Sequence, residues 1–292
     1  MSYYPSQRQS RRRGSFSGLK IRLLIGAAIL LFSVVSYLRN SEINPVTGQK
    51  QRVGDMTVED EIVMGLRSVE PMARQHGGFS RDERASQHVR MIGARLLNVL
   101  ELKLQDLNRR QPYRFDFHLL ADDRAVNAFA LPGGQVFITT ALYNHLGNDA
   151  TENEFNGRLA GVIGHEIGHV LERHSAERMA KGGLLKGLVG AAGAASGSMH
   201  GSQAAASLGD LVIKKYGRND ELESDRWGIE LMILMGFDPR HMLDVMNVLE
   251  QTAGGGNTPE FMSTHPRPAN RRGYIQEIIG EIFPQGVPDG LR

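Results

Sequence analysis

The stretch Gly164-His165-Glu166-Ile167-Gly168-His169 contains two histidines four residues apart, with a glutamate next to the first. On a helix, residues four apart lie on one face, so both imidazoles would point the same way with Glu166 beside them. This H-E-x-x-H pattern is typical of a zinc site in which the glutamate is the general base of a metallopeptidase. Because the chain has ten histidines, the pattern also arises by chance, and its neighbours must supply a third ligand.

The composition limits what kind of site is possible. The chain has 292 residues, 41% of them hydrophobic, which is enough for a substantial core. It has no cysteine, so disulfides and thiolate ligands are excluded and a metal must be held by histidine and carboxylate. Residues 1–39 contain seven basic and no acidic residues, whereas the remainder carries five more acidic than basic residues. That balance argues against a nucleic-acid partner.

The amino-terminal region predicts membrane association. Residues 1–22 form a polar, basic tail, and residues 23–38 are an uncharged, almost wholly apolar run of 16 residues. This arrangement is typical of a signal peptide or a signal anchor. The lack of an A-x-A site favours an uncleaved anchor in the cytoplasmic membrane over an exported soluble form cleaved near residues 34–36. The positive-inside rule then places the tail in the cytoplasm and the rest on the periplasmic side. A buried core helix and a twin-arginine signal are the weaker alternatives.

The remainder predicts a linker followed by one domain. Residues 39–55 contain turn-forming residues and are interpreted as the linker, and residues 56–292 as an α+β, mostly helical domain. Thr57 is expected to cap a first helix, and the capping box at residues 80–83 a second.

A small β-structure is expected between the helices. Alternating aromatic and polar residues at 113–118 predict a half-buried strand, and residues 127–138 predict a β-hairpin around a Pro-Gly-Gly turn. An edge strand at 129–131 or 136–138 would bind an extended substrate by strand addition. The predicted substrate-binding residues are therefore Phe129, Ala130, Leu131, Val136 and Phe137.

The histidine-bearing helix is expected to run from about Glu152 to His174 with four internal glycines. Each costs about 1 kcal/mol relative to alanine, so we expect that they let a strand or a neighbouring helix approach the helix backbone, and the hairpin is the proposed candidate. His174, five residues after His169, is expected to face away from the ligands. Residues 182–208 are rich in glycine, alanine and serine and fit packed helices or a mobile flap, and less well a second membrane span.

A third metal ligand is available in Glu221-Leu222-Glu223-Ser224-Asp225. On a helix, Glu221 and Asp225 share a face, so Glu221 can complete a set of two imidazoles and one carboxylate, with water in the fourth position. Asp225 is then placed to accept a hydrogen bond from a ligating imidazole. Glu223 points elsewhere and is expected to be solvated. Taken alone, the stretch fits a solvated acidic patch better, but beside H-E-x-x-H the ligand interpretation is favoured.

Several segments together resemble a known family. The segments are NAFALPGG at 127–134, HEIGH at 165–169, ELESD at 221–225, and STHP at 263–266 with Arg271. In order and spacing they resemble the membrane-associated zinc metallopeptidases that include CAAX prenyl proteases, the heat-shock membrane protease and periplasmic chaperone-proteases. The resemblance covers about residues 55–280 and is nearest to the periplasmic branch. Ser224 stands where the family usually has alanine.

The resemblance implies a zincin-like fold and a zinc endopeptidase acting on misfolded or unfolded envelope proteins. It implies one Zn2+ per chain held by His165, His169 and Glu221. Glu166 would be the catalytic base, and Asp225 would accept a hydrogen bond from a ligating histidine. A non-proteolytic chaperone or assembly factor on the same fold is the alternative, and the intact Glu166 favours the enzyme.

His265 precedes a proline and is therefore expected on a loop. Three roles remain open for it. It would stabilise the oxyanion, replace water as a fourth zinc ligand and silence the enzyme, or fix the loop by a hydrogen bond.

Overall fold

The chain divides into two units, Met1–Arg39 with Lys181–Val212, and Asn40–Ala180 with Ile213–Arg292. The computed structural model describes residues 15–39, 41–196, 217–253, 260–265 and 271–292. The start of the basic tail, His200 with the end of the glycine-rich stretch, and Pro266 lie outside the described residues. The fold is α+β and mostly helical, as predicted.

The first unit contains the apolar helix α1, Ser15–Arg39. Within it, Gly18–Arg39 has 22 residues and a mean hydropathy of 2.2, which by length and composition suffices to cross a membrane. Helix α6, His174–Ser196, continues into this unit, so the described half of the glycine-rich stretch is helical. Within the unit, Gly187 lies against Ser33 of α1.

The second unit holds the predicted site. Its strands are β1 (Glu42–Ile43), β2 (Lys50–Gln51), β3 (Asp116–Leu120), β4 (Ala128–Leu131) and β5 (Gln135–Thr139). Its helices, besides the start of α6, are α2 (Val58–Gln75), α3 (Glu83–Asp106), α4 (Thr140–Gly147), α5 (Glu152–Leu171), α7 (Arg218–Leu234), α8 (His241–Ala253), α9 (Glu260–Thr264) and α10 (Arg271–Ile282).

The region predicted as a linker, residues 39–55, is instead largely part of the second unit. Strands β1 and β2 pair antiparallel. Asn44, which follows β1, and Gln51 of β2 cap the end of α5 with their side chains. Asn44 Nδ2 donates to the carbonyl of Leu171 at 2.7 Å, and Gln51 Nε2 donates to the carbonyl of Glu172 at 2.6 Å. These carbonyls are among the last of the helix and lack partners within it, which is why polar side chains from another segment are held there.

Local capping explains where the helices start. Thr57 caps α2 in a capping box with Asp60, as predicted. The second helix begins later than its predicted box, because Asp82 rather than Ser80 accepts from the backbone of Ala85. Thr151 caps α5 together with Glu154, which confirms the predicted start of the histidine-bearing helix.

A three-stranded sheet lies beside α5, in the order β3-β5-β4. The hairpin β4–β5 is antiparallel, as predicted, whereas β3 runs parallel to β5. The predicted strand at 113–118 is shifted and begins at Asp116. Val136 and Ile138 face the main core, whereas Phe137 on the opposite face packs in a smaller cluster with Ala73 of α2. Strand β5 is therefore central and β4 lies at an edge.

The glycines of α5 serve a different contact from the predicted one. A Cβ at Gly164 would lie 3.0 Å from Cα of Gly228, and one at Gly168 would lie 2.9 Å from Cα of Ser224. Both neighbours belong to α7, so the prediction that the glycines accommodate the hairpin is wrong. The two helix backbones approach closely because side chains are absent between them, and this brings Glu221 and Asp225 to the histidines.

Candidate metal centre

Four buried residues converge where α5, α7 and the end of α9 meet. His165, His169, Glu221 and His265 each offer one donor atom, and these atoms lie within 4.8 Å of one another. We call this set the four-donor cluster. All four residues are at most 2% exposed. The structure therefore brings together the three predicted ligands and His265, which lie far apart in the sequence.

The spacing of the donor atoms fits a tetrahedral metal. His169 Nε2 lies 3.1 Å from His165 Nε2, and His265 Nδ1 lies 3.4 Å from His165 Nε2 and 3.2 Å from His169 Nε2. Glu221 Oε1 lies 3.5 Å from His169 Nε2 and 3.1 Å from His265 Nδ1, and Glu221 Oε2 lies 3.6 Å from His165 Nε2. In a tetrahedral zinc site the ligand atoms are about 3.4 Å apart, so this donor set suits a zinc ion.

His165 is held from behind by Asp225 and Arg271. Its Nδ1 donates to Asp225 Oδ1 at 2.9 Å, a contact of the kind that orients a metal-binding imidazole. Arg271 donates to both oxygens of Asp225, at 2.7 and 2.6 Å, and to Glu221 at 3.1 Å. Burial opposes the charge on Asp225, but Arg271 and His165 outweigh it and lower its pKa to about 2. Burial also opposes the charge on Glu221, yet His265 and Arg271 lower its pKa, so both carboxylates are anionic.

The prediction that His174 faces away from the ligands is wrong. Helix α5 ends at Leu171, earlier than expected, and Arg173 has a φ of 55°. This left-handed residue turns the chain back, so His174 Nδ1 lies 2.9 Å from His169 Nδ1. His174 Nε2 lies 3.0 Å from Glu223 Oε2. Glu223, predicted to be solvated, is half-exposed but bound to this histidine.

Glu166 is buried beside the four-donor cluster. Neither of its carboxylate oxygens has a hydrogen-bond partner among the residues that the structure describes. Burial raises the pKa of Glu166; the nearby His265 and His165 act against that rise, and so does the backbone N–H of Ala130. A carboxylate with a raised pKa and free lone pairs is suited to accepting a proton.

His265 directly follows α9 and is held by Phe261. The two rings stack with centroids 4.3 Å apart and planes 13° apart, and Phe261 N donates to the carbonyl of Val126 at 3.2 Å. His265 Nε2 lies 3.6 Å from Glu166 Oε1. The residue thus contacts both the donor atoms and the predicted base.

The predicted substrate-binding residues separate into two groups. Val136 and Phe137 lie on the central strand β5 and are at most 1% exposed, so the prediction that they bind substrate is wrong. Phe129, Ala130 and Leu131 lie on the edge strand β4, which packs against α5. Their side chains are only partly exposed or buried, so the accessible feature of this strand is its backbone edge.

Two contributors to the site were missed because they act through contacts that local spacing does not show. Arg271 stood in a matching segment, but nothing in its surroundings indicated a buried guanidinium between Asp225 and Glu221. His174 was assigned to the wrong face because its helix was expected to be continuous with α5. The clustering of Glu221, Glu223 and Asp225 was the one available signal that several cationic or imidazole partners are nearby.

Comparison with known proteins agrees with this geometry. The model of the family described as Peptidase family M48 matches residues 84–279. The chain belongs to peptidase family M48. This peptidase is 30% identical over 250 residues to the Beta-barrel assembly-enhancing protease of Escherichia coli (strain K12), covering 82% of this chain and 46% of that protein.

Mitochondrial relatives are also similar. The Metalloendopeptidase OMA1, mitochondrial, of Bos taurus is 27% identical over 294 residues, covering 96% of this chain and 54% of that protein. The Mitochondrial metalloendopeptidase OMA1 of Schizosaccharomyces pombe is 26% identical over 284 residues, covering 96% and 76%. The chain spans about half the length of the first relatives. The family and these relatives support a metalloendopeptidase that acts on polypeptides.

Proposed function

We propose that this M48 peptidase is a zinc-dependent endopeptidase that cleaves extended segments of misfolded or unfolded envelope proteins. The observation that carries the proposal is the buried four-donor cluster with tetrahedral spacing next to Glu166. His165, His169 and Glu221 would hold one Zn2+, and Asp225 would orient His165. When bound, the ion polarises the scissile carbonyl and makes water acidic enough to lose a proton near neutral pH.

Glu166 performs the proton transfers in this mechanism. Its oxygens accept the proton of the attacking water, and neither oxygen is occupied by a hydrogen bond of standard geometry within the described residues. The same oxygen then returns the proton to the leaving amine. A protein that only binds its clients has no use for such a base, and therefore we favour the enzyme over the chaperone alternative.

Strand β4 would bind the substrate through its backbone. It is an edge strand, and the N–H of Ala130 lies close enough to Glu166 to affect its pKa. A substrate added as a further strand would thus pass over the proton-accepting group. Main-chain recognition depends little on side chains, which fits extended or unfolded substrates of varied sequence.

For His265 we propose the role of fourth ligand, because its Nδ1 lies within 3.4 Å of the donor atoms of His165, His169 and Glu221. A ligand in that position competes with water, so the ring must move before catalysis. Helix α1 would anchor the enzyme in the cytoplasmic membrane with the second unit on the extracytoplasmic side.

The proposal is tested by zinc content and casein cleavage of the purified full chain. We expect one zinc per chain and a cleavage activity that a chelator abolishes and added zinc restores. The Glu221→Ala protein should lose both the bound zinc and the activity. A Glu221→Ala protein with full zinc affinity would refute its role as ligand. For His265→Ala we expect raised cleavage, and lowered cleavage would refute the fourth-ligand role.

A further inference from the structure

The two histidines of the H-E-x-x-H pattern have different partners behind them. His165 Nδ1 lies 2.9 Å from a carboxylate oxygen of Asp225. His169 Nδ1 lies 2.9 Å from another imidazole, that of His174. His174 is 2% exposed and joins His169 to Glu223, whose side chain is 45% exposed. The second histidine is therefore connected to the surface, whereas the first is enclosed.

The direction of each hydrogen bond follows from the donor set. His169 points Nε2 into the four-donor cluster, and thus its proton resides on Nδ1. His174 Nδ1 must then accept that proton's hydrogen bond, which leaves the proton of His174 on Nε2. That nitrogen lies 3.0 Å from Glu223 Oε2 and donates to it. The bonds run in one direction, from His169 through His174 to Glu223.

The turn between α5 and α6 creates this contact. On a continuous helix, residue 174 would be rotated by about 140° from residue 169 and would face away. The left-handed conformation of Arg173, with φ 55°, instead brings His174 back against His169. The guanidinium of Arg173 is fixed by Glu61 at 2.7 Å and by the carbonyl of Met56 at 2.7 Å. The contact is therefore built into the fold.

We propose that His174 and Glu223 are positioning residues that orient His169 for zinc binding, the counterpart of Asp225 for His165. This inference rests on the proposed zinc site. Asp225 and His174 differ in how many other buried residues depend on them. Asp225 is locked in an ion pair with Arg271, so its loss would disturb the interior as well as the ligand. His174 contacts His169 and Ser224 through Nδ1 and Glu223 through Nε2, without an ion pair to a buried arginine, so its loss should act more on metal affinity than on stability.

The test compares two substitutions of similar size at residue 174 in the full chain. His174→Asn places a carbonyl oxygen near the position of Nδ1 and can still accept from His169, whereas His174→Leu cannot. Zinc affinity is measured on the metal-free protein by competition with a chromophoric chelator. Thermal unfolding of the metal-free protein reports stability separately. His145→Leu, at the end of α4, is the matched control for losing a histidine.

We expect His174→Leu to bind zinc about 10–100-fold more weakly and His174→Asn to stay within a fewfold of the wild type. Wild-type affinity in His174→Leu, or equal losses in the two variants, would overturn the proposal. Glu223→Ala, at a half-exposed position, should weaken zinc binding measurably but by a smaller factor than His174→Leu. Unchanged zinc affinity in Glu223→Ala would show that Glu223 does not help His174 to orient His169. If the wild type itself binds no zinc, the proposed function fails instead.

Discussion

Two buried arginines flank the site, and they work under different electrostatic conditions. Arg271 joins Asp225 and Glu221 next to the predicted ligands, whereas Arg173 joins Glu61, Glu42 and the carbonyl of Met56 at the turn after α5. Asp225 receives two hydrogen bonds from its arginine, and its pKa is lowered to about 2. Glu61 receives one, and burial raises its pKa to about 7 despite Arg173.

The difference shows which charges the fold maintains. Around Arg271 the carboxylates of Asp225 and Glu221 stay ionised, because the guanidinium and the neighbouring imidazoles lower their pKa values. Around Arg173 two glutamates share one guanidinium, and Glu42 further raises the pKa of Glu61. The Arg173 cluster therefore supports the scaffold and changes its charge near neutral pH, whereas the Arg271 cluster stays charged.

The largest effect is expected for Arg271→Ala. This variant leaves Asp225 and Glu221 buried without their cationic partner, which should cost about 3–5 kcal/mol of unfolding free energy and much of the zinc affinity. Urea unfolding measures the first and chelator competition the second. Arg272→Ala is the control, since Arg272 is exposed and pairs with Glu250 and Asn247. Equal losses in both variants would contradict the role assigned to Arg271.

Arg173 should matter less, because Glu61 can take up a proton when its partner is removed. We expect Arg173→Gly to cost about 2 kcal/mol, from the lost hydrogen bonds of a buried group. Arg173→Ala should cost about 1 kcal/mol more, because alanine is strained at a φ of 55° and glycine is not. Urea unfolding of the two variants measures this difference. If alanine proved as stable as glycine, the turn would not depend on the left-handed residue.

The Arg173 cluster also predicts a pH dependence. The pKa of Glu61 is about 7 in the folded protein, above the ordinary glutamate value of 4.5, so the folded state binds the proton more tightly. Its contribution to stability is therefore present below pH 4.5 and is lost as pH rises through 7, by up to about 1.4 kcal/mol per pH unit. Arg173, Glu42 and Tyr113 are the charged or titratable groups that face it.

We expect Glu61→Gln to flatten the stability of the metal-free protein between pH 5 and 7 relative to the wild type. Urea unfolding at several pH values gives the two slopes. Identical slopes in wild type and variant would show that Glu61 is ionised throughout, and the contrast with Asp225 would disappear.

The smallest effect belongs to the side chains that cap α5 beside Arg173. Gln51→Ala removes the hydrogen bond to the carbonyl of Glu172 and the one that Gln51 accepts from Asn44, which should cost about 1 kcal/mol. Asn44→Ala removes the bond to the carbonyl of Leu171 and also the bonds that Asn44 accepts from the backbone of Val46 and Thr47, so it should cost somewhat more. Gln49→Ala, on the exposed side of the same segment, should change the unfolding free energy by less than about 0.5 kcal/mol. If all three variants unfolded alike, residues 41–55 would be a linker after all.

The same contrast shows how far the sequence could predict this molecule. Features that depend on residues close together in the sequence could be predicted. They include the cap at Thr57, the hairpin at residues 127–138, and the shared helix face of Glu221 and Asp225. The resemblance placed them in one site. The polar partners of the site could not be predicted from the sequence, because Arg271 and Arg173 bind residues that are 46 and 112 positions away in the chain.

A positive φ at an arginine has no sequence signature either. That single turn moved His174 from the predicted outer face to a position against His169. The glycines of α5 did indicate close approach, but the identity of the approaching element depends on tertiary packing. The spacing of glycines along a helix shows that one face lacks side chains, but it does not show which element of the fold packs against that face.

The most direct test of the central claim is Glu166→Gln in the zinc-loaded full chain, measured as cleavage of an unfolded protein such as casein. Glutamine fills the same space but does not accept the proton. We therefore predict an unchanged zinc content of one per chain and a fall in cleavage rate of at least about 100-fold. Undiminished cleavage by the Glu166→Gln protein would contradict the account.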